Sequence, residues 1–363
     1  MNRIASTVAG SVAGSANLSA IKQRLSGAWL RGAGFDSVFI FGLFGVAILS
    51  GLTISFYPWL FAPVLIFDLW FLGYHHVIST YTRLCFDRKS FAEHRFKVLI
   101  LPVAVGAVTM AAFYAFGLWL IVSIYFYWQW FHYTRQSWGI SRAYRAKDRS
   151  ASYEDGWLDQ AIFYALPVLG ILHRSNQDPG RFIGLELRTF PMPSAVVDLA
   201  TGAAVVLLCL WTFRRVRAWQ EGRLAAVHTA YMLTHFGIFA AGYLWFPDIS
   251  LGWLVINMWH NAQYILFVWL FNTRRFKNGM EAEARFISYI SQPHRLWLYL
   301  AVCLALTAIL YLGVFQAIDW LFLAGVSTSV VLYQVVNFHH YVVDSRIWKV
   351  RHAPVRQALG LQG

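Results

Sequence analysis

Ten apolar stretches, each near the length needed to cross a bilayer, leave this chain few folds to choose from. They fall at roughly 35–56, 58–80, 97–117, 118–140, 157–173, 194–213, 225–246, 250–271, 297–315 and 317–341. A membrane-spanning helix needs about 20 mostly apolar residues. The fifth stretch is short and interrupted by Pro167, and Gly117 predicts a tight turn between the third and fourth. Charged residues make up 13% of the 363 positions, against about 25% in soluble domains, too few to clothe a water-soluble protein. The expected fold class is all-α: a polytopic membrane helical bundle of about ten transmembrane helices. Cys85, Cys209 and Cys303 form no C-x-x-C pair, so neither a disulfide framework nor a thiolate zinc site is supported.

Charge gives an independent reading of topology. The net charge is +13, but the basic residues lie in short clusters between apolar stretches, which speaks against a nucleic-acid partner and for orientation in a membrane. If the first helix starts inside, the inner linkers and both termini hold 26 of the 30 Lys and Arg. The outer linkers hold Arg174, Arg181 and Arg188, and Arg135 sits within a stretch. Both termini are therefore expected in the cytoplasm. The expected organisation is a cytoplasmic leader at 1–34, a transmembrane domain at 35–345 and a basic cytoplasmic tail at 346–363. No signal peptide is expected in the leader. The outer segment 174–193, with Pro179, Pro191 and Pro193, is expected to lie along the membrane surface.

The chain has 12 histidines. His94, His173, His294 and His352 fall in linkers or at helix ends and read as surface residues. The other eight lie within or at the ends of apolar stretches: His75, His76, His132, His228, His235, His260, His339 and His340. Ionisable residues in a bilayer are costly and by default mark a functional interior. At about 1.5 Å per residue, the expected topology puts all eight in the cytoplasmic half, which suits one pocket better than scattered helix-to-helix hydrogen bonds.

Spacing sharpens this reading. His228 and His235 are seven apart and share a helix face. Asp68 lies seven residues before His75, and His340 and Asp344 are four apart, so each carboxylate can ligate a metal or orient an imidazole. His132, Arg135 and Gln136 form one polar stripe; Asn257, His260, Asn261 and Tyr264 form another; Gln334, Asn337 and Tyr341 continue a third. The expected metal ligands are the eight histidines with Asp68 and Asp344. Arg135, Gln136 and Tyr264 are the expected catalytic groups, with Arg135 and Gln136 positioning a polar substrate group or a reduced-oxygen intermediate. Imidazole with carboxylate favours one or two non-haem iron ions. Zinc with an activated water is one alternative, and haem, with His228 and His235 or His132 and His260 as axial ligands, is another.

The segments carrying these residues are Gly73-Tyr74-His75-His76-Val77-Ile78-Ser79-Thr80, Trp130-Phe131-His132-Tyr133-Thr134-Arg135-Gln136, His228 through His235, Trp259-His260-Asn261-Ala262-Gln263-Tyr264 and Asn337-Phe338-His339-His340-Tyr341-Val342-Val343-Asp344. In histidine distribution and hydropathy the chain resembles the histidine-rich integral-membrane non-haem iron oxygenases, nearest the bacterial Brp/Blh-type beta-carotene dioxygenases. That resemblance implies a polytopic iron enzyme with His75 or His76, His132, His228, His235 and His260 as ligands. The H-x-x-H-H boxes of membrane desaturases are missing, so that family's residues are not carried over.

The expected function is a membrane-embedded, histidine-ligated metal oxygenase acting on a lipophilic substrate such as a carotenoid or lipid. Its expected partners are membrane lipids, that substrate and, where electrons are needed, a cytoplasmic donor. Its expected location is the inner membrane of a bacterium, as a multi-pass protein. A proton- or metal-coupled transporter is the alternative from another class, although the outer half holds no deep histidine and no inverted repeat is evident. The many aromatic residues suit interfacial belts first, with Tyr125–Trp130 as a candidate substrate wall. Glycines at 42, 45, 51 and 117 suggest close helix packing.

Overall fold

The computed structural model describes residues 28–148, 156–321, 326–349 and 353–361. Most of the leader, and His352, lie outside the described residues. The long helices are α1 (Ala33–Phe56), α2 (Pro58–Cys85), α3 (Arg88–Phe116), α4 (Leu118–Lys147), α5 (Gly156–Gln177), α6 (Ser194–Gln220), α7 (226–245), α8 (Ile249–Arg275), α9 (Pro293–Ile318) and α10 (Val326–Ile347). A small antiparallel hairpin pairs β1 (Arg181–Phe182) with β2 (Leu185–Glu186). Among the described residues, the apolar stretches read from the sequence fall on helix. The last is displaced: residues 315–321 continue the ninth helical segment, and α10 begins at Val326.

Five helices among the described residues, α1, α2, α3, α6 and α9, are long and apolar enough to cross a membrane, which marks the chain as an integral membrane protein. They are also sparsely covered by the rest of the protein; α3 has only 6% of its most apolar window buried. Leu99, Val103, Val108, Leu199, Val205 and Leu312 all stand exposed, as side chains facing lipid do. The less apolar helices lie inside. α8 is the axis of the bundle and is buried along nearly its whole length. It carries Asn257, His260, Asn261, Gln263 and Asn272, polar groups that a helix can hold at membrane depth only where protein surrounds them.

Local chemistry sets the joints. Gly117 has φ +89°, a value open to glycine, and makes the expected tight turn between α3 and α4. Asp248 caps α8 by accepting from the Leu251 amide at 2.8 Å. Arg174 is buried at the end of α5 and donates to the carbonyls of Gly242, Phe246 and Pro247, oxygens left over where α7 ends. α7 and α8 meet at two glycines: a Cβ on Gly252 would overlap the Gly242 carbonyl. Gly51 likewise lets α1 approach Val255 and Phe246, whereas Gly45 faces open space.

Two peripheral segments pack into the protein cores. The 174–193 segment does not simply lie flat: Phe182 and Leu187 are buried in the main core, and Phe182 packs edge-on against Trp253 at 5.4 Å. The Phe182 ring and the Leu187 side chain anchor this segment in the core, while Phe190 stays exposed. The tail, too, folds back, with Val355, Ala358 and Leu359 of the Ala353–Leu359 helix buried in a second core, and Arg274 donates to the Leu359 carbonyl.

Candidate metal centre

Four helices converge on one group of buried side chains. α2 supplies His76, α4 His132, and α10 both His340 and Asp344, with one ligand atom from each lying within 4.8 Å of the others. The Nε2 atoms of His76 and His340 approach to 2.7 Å. His260 of α8 stands at the edge of this group, its ring centre 4.8 Å from that of His76 and 5.2 Å from that of His132. All five residues are buried.

Each adjacent histidine pair gives only one member. Neighbouring helical residues point about 100° apart, so one turns in and the other away. His339 places Nδ1 at 2.7 Å from the Tyr81 hydroxyl and Nε2 at 2.7 Å from the Lys97 carbonyl. His75 is buried but falls outside the group. The His340–Asp344 pair is stacked as its four-residue spacing predicts, with Nε2 to Oδ2 at 3.6 Å.

The Asp344 carboxylate is held on one side and open on the other. Its Oδ1 accepts from Thr80 at 3.1 Å and from Tyr264 at 2.9 Å. Trp348 Nε1 donates to the Tyr264 hydroxyl at 2.8 Å. Tyr264 gives its one proton to the carboxylate, the strongest acceptor in reach, and Thr80, 2.5 Å from the Tyr264 oxygen, gives its own to that oxygen or to the carboxylate. The Thr80 oxygen then takes the His340 Nδ1–H at 3.0 Å, which leaves the His340 Nε2 lone pair on the side of His76. Gln136 meets His260 Nδ1 at 3.3 Å and fixes that ring in turn.

Tyrosines wall the imidazoles. Tyr264 stacks on His76 at 4.2 Å, Tyr341 on His132 at 4.1 Å, and Tyr133 packs on His260 at 4.1 Å. Tyr133 donates to Asn257 at 2.5 Å, and Asn257 donates to Asp68 at 2.5 Å. Asp68 therefore reaches the centre through Asn257 and Tyr133, not directly. The reason is backbone: Asp68–Tyr74 is a π-helical stretch, whose wider turns break the seven-residue stacking of Asp68 under His75.

His228 and His235 belong elsewhere. His228 pairs with Ser141 at 3.0 Å. His235 meets Ser137 through Nδ1 at 3.1 Å and donates from Nε2 to the Phe163 carbonyl at 3.0 Å. Pro167 lies four residues after Phe163 and has no N–H to give that carbonyl. His235 supplies the missing donor while stacking on the Phe163 ring at 3.5 Å, so α5 continues through its proline.

Two of the residues tied to the centre, Thr80 and Trp348, were not among the sequence-derived candidates. Thr80 is one helical turn past His76, and Trp348 four residues past Asp344; that helical spacing was the available signal. Arg135 is exposed, donates to the Ser345 carbonyl at 3.4 Å, and lines a cavity. This cavity, about 640 Å³, reaches His132, Gln136, Tyr264 and Asp344 at its inner wall.

Among the described residues, His76 Nδ1, His132 Nε2, His260 Nε2 and Asp344 Oδ2 are buried with no hydrogen-bond partner, an arrangement that costs free energy unless something completes it. His76, His132, His340 and Asp344, three imidazoles and one carboxylate, all buried, can hold a metal ion. Comparison of the chain with known protein families, with characterised proteins and with solved structures finds no match.

Proposed function

We propose that this protein is a membrane-embedded metal enzyme, an iron-dependent oxygenase acting on a lipophilic substrate. The observation that carries the reading is the convergence of His76, His132, His340 and Asp344, of which His132 and Asp344 line a cavity large enough for a small-molecule substrate. Nitrogen and carboxylate donors together suit iron, which when bound would supply dioxygen activation. The protein's part is to hold ligands and exclude water. Thr80 and Tyr264 orient Asp344, Thr80 fixes the His340 tautomer, and Gln136 turns His260. Trp128, Phe131 and Tyr341 offer the substrate an apolar wall. With ten membrane-spanning helices and both termini in the cytoplasm, as the charge distribution favours, the centre sits in the inner half of the bilayer, within reach of a cytoplasmic electron donor.

The test is metal content by mass spectrometry, with a visible spectrum on the same detergent-purified sample. One or two irons per chain, lost in a His132→Ala variant, would support the reading. A Soret band, stoichiometric zinc, or no metal after anaerobic purification with iron supplied would overturn it.

A further inference from the structure

The cavity lining combines two chemistries. Its inner wall holds His132, Tyr264 and Asp344, and Arg135, Arg142, Arg346 and Lys349 also line it. Arg135, Arg142 and Arg346 are exposed. Among the described residues none of these three arginines has a carboxylate within ion-pair distance, unlike Arg215 with Asp159, Arg275 with Asp87 or Arg217 with Glu221. Topology explains why basic residues gather at this end of the bundle. It does not explain why three without acidic partners share a cavity with the buried centre. Along α4, Arg142 lies ten residues from His132, about 15 Å at 1.5 Å per residue, and Arg135 lies one turn from it. Phe131, Trp138, Tyr341 and Phe267 line the same cavity.

We propose that this cavity binds an amphiphile with an anionic head group, the head held by Arg135, Arg142 and Arg346 and the apolar chain laid along the aromatic wall toward His132. Guanidinium groups recognise carboxylate and phosphate alike, so the head can be that of a free fatty acid or of an anionic phospholipid. A neutral hydrocarbon would leave these three cations without an anionic partner. That the bound amphiphile is the substrate rests on the oxygenase reading; that it binds does not.

The experiment is a fluorescence titration of the full-length protein in neutral detergent with cis-parinaric acid and, separately, with its methyl ester. The acid should bind at least about tenfold more tightly than the ester, as expected for charge-assisted hydrogen bonds to a head group. Equal affinity overturns the proposal. In the R135Q/R142Q/R346Q variant the acid should weaken by about tenfold while the ester, which reports an intact cavity, is unchanged. The corresponding triple Lys variant should keep most of the preference for the acid. An unchanged acid affinity in the Gln variant overturns the proposal. Displacement by oleate identifies a free fatty acid as a suitable ligand, and displacement by lysophosphatidylglycerol alone identifies a bilayer lipid. Displacement by neither overturns it. Because binding is read without turnover, loss of preference with iron still bound removes this inference alone, and preference without any metal removes the oxygenase reading alone.

Discussion

His76 and His340 stand 264 residues apart in the chain and bring their Nε2 atoms to 2.7 Å of each other. Two like nitrogens at this distance share one proton unless a cation replaces it. The neighbouring His339 has both ring nitrogens occupied. His340→Ala should therefore lower metal affinity by more than the roughly 10–100-fold typical of losing a supporting group, whereas His339→Ala should retain the metal. Metal content of the two variants, purified side by side, decides this; equal loss in both would remove His340 as a ligand.

Tyr264 offers a milder probe. Its hydroxyl donates to Asp344 while its ring stacks on His76. Tyr264→Phe keeps the ring and removes the hydrogen bond, leaving Asp344 Oδ1 with Thr80 alone. Metal affinity should fall by roughly 10–100-fold, with little change in thermal stability. Competition with a chelator of known affinity measures it, and Thr80→Val should act in the same direction.

The helical fold was legible because a bilayer demands long apolar runs, and the approximate helix ends followed from them. The candidate site was legible only in part. His132, His260, His340 and Asp344 carried the signal that matters, polar groups where apolar ones are expected. The choice of His76 over His75 and of His340 over His339 depends on helix rotation, which adjacent identical residues cannot reveal. Asp68 misled because the spacing rule assumes an α-helix and the chain widens into a π-helical stretch there. His228 and His235 share a face as expected, yet that face looks onto Ser141, Ser137 and the Phe163 carbonyl, partners set by tertiary packing alone.

The link between His235 and Pro167 predicts a coupling. His235→Ala leaves the Phe163 carbonyl without a donor and removes a stacked ring, and should cost roughly 1–3 kcal/mol. Metal content should be unaffected. Pro167→Ala restores an N–H that can reach the same carbonyl within α5. In the double variant part of the His235→Ala cost should therefore disappear, with an interaction energy of about 1 kcal/mol. Thermal or denaturant unfolding of the four proteins in one detergent gives the cycle, and strict additivity would show that the carbonyl is satisfied by other means.

The glycines of the bundle fall into two kinds that the sequence presents alike. Gly252 sits where α8 crosses the Gly242 carbonyl of α7, an oxygen that also accepts from Arg174 at 3.2 Å. Backbone cannot move aside as a flexible side chain can, so Gly252→Ala must part the two helices. Overpacking of this kind costs about 1–3 kcal/mol or more, and the shift would travel along α8, which also carries His260. Gly45 is helical with nothing within 4 Å of an added Cβ. Gly45→Ala should be neutral or slightly stabilising, since alanine favours the helix by about 0.8–1.0 kcal/mol over glycine. Melting temperatures of the two variants should move in opposite directions, or Gly252→Ala alone should move. Equal tolerance at both positions would mean that α7 and α8 are not packed backbone to backbone.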